Sequence, residues 1–223
     1  MVHVFTQVSR PDRKLVDAFK NLGAATVYEA AGRKGSVDPR IKPLVRGIRL
    51  LGPAFTVECH PKDNLMLHKA LQIAEKGDVL VASTQGYPEA GYWGGLMATS
   101  AMARQLGGLV IDGCVRDSTE LIELGFPVFC RGTCIRGTNK GTLGRVNHPV
   151  LLGDVIVHPG DLILGDDDGL VIVAREEIEA VLKASRERVA KEVKKASELA
   201  KGVSSVELNK LEPVFRSLGL VEE

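Results

Sequence analysis

An adjacent arginine and aspartate, Arg116 and Asp117, follow a short apolar run and are the residues of this sequence best suited to chemistry. The arginine carries a rigid fork of donors that matches a carboxylate, and the aspartate offers hard oxygen to a divalent cation or takes part in proton transfer. Together they suit an anionic ligand that chelates a metal ion. The alternative is structural, because Asp117 could cap a helix starting at Ser118 with Arg116 as its ion-pair partner.

A glycine-rich segment between Gly91 and Thr99 is the second candidate. Clustered glycines before a helix expose backbone N–H groups, which bind a carboxylate or phosphate at the positive end of the helix dipole. The same glycines could instead permit close packing of a helix on a sheet. The residues whose amides are in question are Gly94, Gly95, Leu96 and Met97.

Asn64 and His68 stand four residues apart, so they share one face of the helix predicted at that position. Asn64 could donate to a substrate carbonyl or carboxylate, and His68 could transfer a proton or be a partly buried structural histidine. Asp63, directly before them, is most simply a helix N-cap. This pair is therefore a third, weaker candidate for substrate binding.

Two further patterns point only weakly to metal binding. The three aspartates before Gly169 lack the glutamate and the alternating ligands of an EF-hand, so a solvated turn is expected. Cys130 and Cys134 are four residues apart, but no second Cys/His pair completes a zinc set. We expect the four cysteines to be reduced and mostly buried.

Strand and helix patterns alternate around the candidate residues, which is typical of an α/β fold with a parallel or mixed sheet. The run 109–111 reads as a strand buried on both faces, and ligands in such sheets collect beyond the carboxyl ends of strands. Short strands separated by turns follow over 149–174. We predict one α/β domain over 1–174.

A long amphipathic helix is predicted from Glu176 to about Leu199, with one apolar stripe and many charges opposite. The helix is longer than it needs to be to pack on its own domain alone. We therefore predict that 175–223 is a C-terminal helical extension that packs partly on its own domain and partly on a neighbouring subunit.

Charge and hydropathy exclude two classes of partner. With 29 basic and 28 acidic residues among 223, the net charge is +1, so no global field favours nucleic acid or an anionic membrane. No run reaches the roughly 18 apolar residues that a spanning helix requires, and the first residues lack the pattern of a targeting segment. A cytoplasmic protein is expected.

Five segments, in their order along the chain, resemble the family of 4-hydroxy-4-methyl-2-oxoglutarate/4-carboxy-4-hydroxy-2-oxoadipate aldolases. These are class II pyruvate aldolases, and they share their fold with the regulator of ribonuclease E activity A. The resemblance covers about residues 10 to 200 and implies a swivelling-domain-like β/β/α sandwich with N-terminal helices and a long C-terminal helix. The segments are 63–68, 76–81, 108–117, 125–129 and 159–169.

The resemblance also implies roles for the candidate residues. Asp117 would bind Mg²⁺ or Mn²⁺, and Arg116 would contact pyruvate and its enolate. The amides between Gly94 and Met97 would hold the substrate carboxylate. Glu192 of a neighbouring subunit would lie in the outer shell of the metal, within a homotrimer or homohexamer.

One position departs from the family pattern. Members usually carry Asp or Glu directly after the glycine that corresponds to Gly94, where it orients a metal-bound water, but this chain has Gly95. Loss of an outer-shell carboxylate commonly costs 10- to 100-fold in metal affinity or activity. Glu89 is nearby in sequence and is our guess for a substitute.

The expected activity is metal-dependent cleavage of a 4-substituted 4-hydroxy-2-oxo acid to pyruvate, with oxaloacetate decarboxylation as a side activity. A metal-bound water held by Asp117 and Glu192 would be the proton shuttle. No lysine is required, unlike in Schiff-base aldolases.

The alternative is a non-enzymatic protein that binds and regulates a ribonuclease, although such proteins are shorter and would not need the long helix. A methyltransferase gains little support, since no glycine-rich nucleotide-binding turn follows the first strand.

Overall fold

A computed structural model describes residues 2–222 and consists of one large sheet, two small ones and eight α-helices within that range. The strands of the large sheet are β1 (Lys42–Pro43), β2 (Leu50–Glu58), β3 (Val79–Ser83), β4 (Gly108–Ile111), β6 (Val128–Cys130), β8 (Arg145–Val146), β11 (Leu162–Asp166) and β12 (Gly169–Val173). The small sheets pair β5 (Cys114–Val115) with β7 (Gly132–Thr133), and β9 (Val150–Leu152) with β10 (Val155–Val157).

The helices mostly occupy the stretches that the apolar spacing predicts. They are α1 (Arg13–Asp17), α2 (Ala24–Ala30), α3 (Leu65–Ile73), α4 (Gly95–Ala103), α5 (Ser118–Leu124), α6 (Ile178–Ala200), α7 (Ser205–Leu208) and α8 (Glu212–Ser217), with a 3-10 turn (Arg175–Glu177) before α6.

Four neighbouring strands of the large sheet, β2, β3, β4 and β6, run parallel. Parallel strands need crossover connections, and here α3, α4 and α5 supply them in turn. All residues of β3 and β4 are buried, as expected for strands covered on both faces. Leu80 and Leu109 pack towards these helices, whereas Val81 and Val110 pack on the opposite face.

The sheet curves until its two edges nearly meet. The antiparallel pair β11 and β12 joins the β2 edge, while β1 joins β6 at the other. The segment before β1 then hydrogen-bonds to β12, through the Val37 N–H to the Leu170 carbonyl at 3.1 Å and the Ile172 N–H to the Gly35 carbonyl at 2.8 Å. The α/β prediction is confirmed, with a nearly closed, barrel-like sheet.

The aspartate-rich turn between β11 and β12 serves the fold. The Ala24 N–H at the start of α2 donates to Asp166 at 2.7 Å, and the Gly47 N–H donates to Asp167 at 2.8 Å. Lys42 Nζ donates to the Asp168 carbonyl at 2.6 Å. These aspartates therefore tie neighbouring segments to the hairpin, as a turn rather than as a metal loop.

The long helix α6 has two different halves. Ile178, Val181 and Leu182 are buried in a core that includes α2 and β12. From Glu187 onward most residues are exposed, and Val193 is 65% exposed. The contact of this second half with a neighbouring subunit stays a prediction. No helix within residues 2–222 combines the length and the apolar run that a membrane crossing requires.

Candidate active site

Arg116 and Asp117 follow β5 directly and join it to α5. The Arg116 N–H donates to the Trp93 carbonyl at 2.8 Å, while Asp117 adopts a left-handed conformation with φ of 56°. The Asp117 side chain makes no hydrogen bond to the first turn of α5. Its Oδ2 instead accepts from the Gly95 N–H at 3.2 Å and lies 3.5 Å from Arg116 Nε. The helix-cap alternative for this side chain is therefore wrong.

The segment from Gly91 to Gly94 runs beside β5 and is held in place by large buried rings. The Tyr92 N–H donates to the Cys114 carbonyl at 2.9 Å. Tyr92 and Trp93 are fully buried, and the Trp93 ring stacks on Phe126 with centroids 5.9 Å apart. These contacts fix the glycines against Arg116 and Asp117 although the glycines themselves supply no side chains.

Each of the two glycines that begin α4 lies against a carboxylate. A Cβ atom on Gly94 would overlap Oδ2 of Asp117, and a Cβ atom on Gly95 would overlap the carboxylate of Glu120. The Glu120 carboxylate, from α5, therefore fills the space in which a side chain at position 95 would begin. Glu89, our guess for a substitute, instead pairs with Arg136 at 2.6 Å on the surface.

Of the backbone N–H groups from Gly94 to Met97, two donate hydrogen bonds within the described chain and two do not. The Gly95 N–H donates to Asp117, and the Met97 N–H returns to the Gly94 carbonyl at 3.1 Å. The N–H groups of Gly94 and Leu96 have no partner among residues 2–222. Because the first turn of a helix leaves such donors without intrahelical acceptors, these two are the amides available to a ligand carboxylate.

Asn64 contributes an unpaired acceptor. Its Nδ2 donates to the Tyr92 carbonyl at 2.8 Å, which fixes the orientation of the amide. Its Oδ1 is buried and has no donor among residues 2–222, and the side chain belongs to a residue only 5% exposed. A buried polar atom without a partner is costly, so a ligand hydroxyl or a water that donates to Oδ1 would be stabilised there.

The loop 137–140 reaches the site from the segment before β8, and the sequence interpretation did not include it. Asp63 holds this loop: its carboxylate accepts from the N–H groups of Gly141 at 2.7 Å, Thr142 at 3.0 Å and Leu65 at 2.9 Å. Burial opposes ionisation of Asp63, but these backbone donors lower its pKa below the usual value. Asp63 thus does more than start α3. A polar, glycine-containing run in the sequence is the pattern from which this loop could have been predicted.

His68 and Lys140 add titratable groups to the site. Burial lowers the pKa of His68 below its ordinary value, and the positive charge of Lys140 lowers it further. His68 is therefore neutral at pH 7, and its ring offers one donor and one acceptor. Within residues 2–222 Lys140 forms no ion pair, which leaves its ammonium group available to an anionic ligand.

These side chains surround one cavity of about 330 Å³. Seven predicted residues line it, whereas Gly95 lies behind Glu120 and Glu192 is not part of the wall. The predicted lining residues are Asn64, His68, Gly94, Leu96, Met97, Arg116 and Asp117. Gly91, Tyr92 and Trp93 also line the cavity and belong to the glycine-rich candidate segment, whereas Gly137, Thr138 and Lys140 are the lining residues that sequence reasoning missed.

The family model described as Aldolase/RraA, of the RraA-like proteins, matches residues 14–172. This chain belongs to the RraA-like family. A protein of Halalkalibacterium halodurans named "Putative 4-hydroxy-4-methyl-2-oxoglutarate aldolase" is 32% identical over 183 residues, which are 82% of this chain and 87% of that protein. The family resemblance seen in the sequence is thereby confirmed, and the name of this relative supports a lyase role.

Solved structures of similar proteins confirm the fold of this RraA-like chain. An uncharacterized protein from Pseudomonas syringae pv. tomato has a TM-score of 0.78 at 27% identity, covering 91% of this chain and 99% of that one. Streptomyces coelicolor RraAS2, described as an unusual member of the RNase ES inhibitor RraA family, has a TM-score of 0.78 at 27% identity, covering 85% and 100%. The fold thus occurs in proteins named for different activities, so the site must decide the function.

The donor set of this RraA-like site fits a hydrated divalent cation. No group of three His, Cys, Asp or Glu side chains converges anywhere in residues 2–222. Mg²⁺ is usually held by one or two carboxylates and keeps several waters. Asp117, set against Gly94 in a space that a Cβ would fill, is the carboxylate that would hold such an ion.

Glu192 lies on α6 and forms an ion pair with Arg188 at 2.8 Å. Arg188 also approaches Glu29 of α2 at 3.7 Å. Glu192 was assigned to the site of a neighbouring subunit, which a single chain does not test. Its role as an outer-shell carboxylate therefore stays a prediction.

Proposed function

We propose that this RraA-like protein is a class II pyruvate aldolase that uses Mg²⁺ or Mn²⁺. It would cleave 4-hydroxy-4-methyl-2-oxoglutarate to two pyruvates, or 4-carboxy-4-hydroxy-2-oxoadipate to pyruvate and oxaloacetate. The observation that carries the proposal is that Arg116, Asp117 and Asn64, whose Oδ1 is buried and unpaired, line one cavity.

The residues of the cavity complement the parts of such a substrate. The Arg116 guanidinium and the free N–H groups of Gly94 and Leu96 suit the carboxylate and keto oxygen of the 2-oxo acid end. Asn64 Oδ1 needs a donor, and the C4 hydroxyl of the substrate is one. Lys140 and neutral His68 suit a second carboxylate beyond C4. Each polar group of the substrate thus has a partner of matching chemistry.

Cleavage of the C3–C4 bond removes the proton of the C4 hydroxyl, which becomes the carbonyl of the second product. It leaves the enolate of pyruvate, which takes up a proton at C3, and the site must stabilise the negative charge of this enolate. Arg116 places a fixed positive charge beside the cavity for this purpose. A divalent cation held by Asp117 would act as a Lewis acid on the 2-oxo acid. Because decarboxylation of oxaloacetate yields the same enolate, oxaloacetate decarboxylase activity is expected from the same residues.

The test is pyruvate release from the two hydroxy acids and from oxaloacetate, measured with chelated protein before and after Mg²⁺ or Mn²⁺ is added. We expect release only with metal, and a loss of at least about 100-fold in kcat for Arg116→Ala and Asp117→Ala with an unchanged circular dichroism spectrum. Metal-dependent release that persists in Asp117→Ala would exclude this site. Absence of release from all three substrates would favour the alternative, a regulator that binds a ribonuclease, since the relative RraAS2 is described as a member of an RNase ES inhibitor family.

A further inference from the structure

The carboxylate of Glu120 lies in the volume that a side chain at position 95 would occupy. Gly95 is the first residue of α4. A Cβ atom built on it would overlap all three atoms of the Glu120 carboxylate. Glycine at a helical position costs roughly 1 kcal/mol relative to alanine. Its presence here lets a carboxylate from α5 lie directly on the backbone of α4.

Glu120 reaches this position together with Asp117. Asp117 directly precedes α5, and Glu120 lies in the first turn of that helix. Asp117 overlaps the space of a Cβ on Gly94 and accepts the Gly95 N–H, while Glu120 covers Gly95 itself. Two carboxylates, one directly before α5 and one in its first turn, therefore lie against one dipeptide at the start of α4.

Glu120 is exposed and lies over Gly95 without a contact in the described chain that holds its carboxylate there. Within residues 2–222 its carboxylate takes part in no salt bridge and accepts no hydrogen bond, whereas Arg116 is already close to Asp117. A helix N-terminus favours negative charge, but a second carboxylate beside Asp117 is repelled unless a positive charge is shared. Asn64, whose Oδ1 is buried and unpaired, lines the cavity beside Asp117, which independently indicates that a bound species completes the site at Asp117.

We propose that Glu120 is a positioning residue that strengthens the binding of a divalent cation at Asp117 through the waters that the cation keeps. This inference rests on the proposed function for the presence of the cation. Outer-shell acceptors of this kind typically change metal affinity 10- to 100-fold. An acidic side chain at position 95 would start from the volume that the Glu120 carboxylate fills, so we expect a carboxylate from either position to reach the neighbourhood of Asp117 and one to substitute for the other.

The decisive experiment measures Mn²⁺ binding to the full-length, chelated protein by the electron paramagnetic resonance signal of free Mn²⁺. Glu120→Gln keeps the size of the side chain and removes its charge, and we expect the Kd for Mn²⁺ to rise at least tenfold. The matched control is Glu123→Gln, which changes the same charge on the same exposed helix surface and should alter the Kd less than about twofold.

The double variant Gly95→Asp/Glu120→Ala tests interchangeability, because it returns a carboxylate to the same place from the other helix. We expect it to bind Mn²⁺ within a few-fold of wild type, whereas Glu120→Ala alone should remain weak. Equal Kd values for Glu120→Gln and Glu123→Gln would overturn the inference even if the double variant fails to fold.

The two proposals fail in different ways in this design. Wild-type protein that binds Mn²⁺ in a Glu120-dependent way but releases no pyruvate would retain the inference and reject the aldolase. If wild-type protein releases pyruvate with Mn²⁺ and Glu120→Gln binds Mn²⁺ as tightly as wild type, the aldolase is retained and the inference about Glu120 is rejected.

Discussion

The carboxylate of Asp117 occupies the space that a side chain on Gly94 would need. Gly94 has an extended backbone, with φ of −149°, so no strain of its own requires a glycine. We expect Gly94→Ala to push the Asp117 carboxylate away, weaken Mn²⁺ binding at least tenfold and lower kcat/KM for pyruvate release by about 100-fold.

Gly23→Ala is the matched control for this variant. Its Cβ would meet no atom closer than 3.8 Å, and Gly23 precedes α2 outside the site. The control should leave both measurements at the wild-type level. Wild-type Mn²⁺ affinity in Gly94→Ala would show that the Asp117 carboxylate does not hold the cation.

Local patterns predicted most of the elements, because apolar spacing reports burial within one segment. The strand over 109–111 and a helix that begins at Ser118 follow from such patterns. The contact of Glu120 with Gly95 could not be predicted in this way, since it depends on how closely α4 and α5 approach. The left-handed conformation of Asp117 could not be predicted either, and its side chain accepts from the Gly95 N–H of another segment instead of capping α5.

The pKa of His68 provides a prediction about Lys140. Burial lowers this pKa first and the Lys140 charge second, so Lys140→Met should raise it part of the way towards the ordinary value of about 6.5. A titration of the His68 Cε1 resonance, assigned with His68→Gln, measures the shift. Lys76→Met removes an exposed positive charge elsewhere and should not move this resonance. An unchanged His68 pKa in Lys140→Met would contradict the contact.

The same shift has a consequence for stability. The folded pKa of His68 lies below the unfolded one, so between the two the unfolded chain binds more protons. The contribution of neutral His68 is therefore complete above about pH 6.5 and is lost as the pH falls through the folded pKa. The free energy of unfolding in urea, measured at several values between pH 5 and 7, should rise more steeply with pH for wild type than for His68→Gln.

Asp63 links the start of α3 to the loop that carries Thr138 and Lys140. Because its carboxylate accepts three backbone N–H groups, Asp63→Ala should free the loop, raise KM for 4-carboxy-4-hydroxy-2-oxoadipate about tenfold and destabilise the fold by about 2 kcal/mol. The lowered pKa of Asp63 means that its stabilisation is present above about pH 4 and is lost as the pH falls through the folded value.

Asp12→Ala is the control for Asp63→Ala. Asp12 also accepts a backbone N–H two residues ahead, from Lys14 at 2.7 Å, but it caps the exposed helix α1. We expect a loss of roughly 1 kcal/mol in stability and no change in KM. An unaltered KM in Asp63→Ala would mean that the loop keeps its position without this anchor.

Arg10 and Asp78 form an ion pair whose carboxylate is almost completely buried. Arg10 Nε and Nη2 donate to the two oxygens of Asp78 at 2.7 and 2.8 Å, and the Asp78 side chain is 1% exposed. Removing one partner of such a pair leaves an uncompensated charge, so Arg10→Met should lower the free energy of unfolding by about 3 kcal/mol. Arg13→Met breaks only the exposed pair with Asp17 at 3.9 Å and should cost less than about 1 kcal/mol. Urea unfolding followed by circular dichroism distinguishes them, and equal midpoints would show that Asp78 finds another partner when Arg10 is absent.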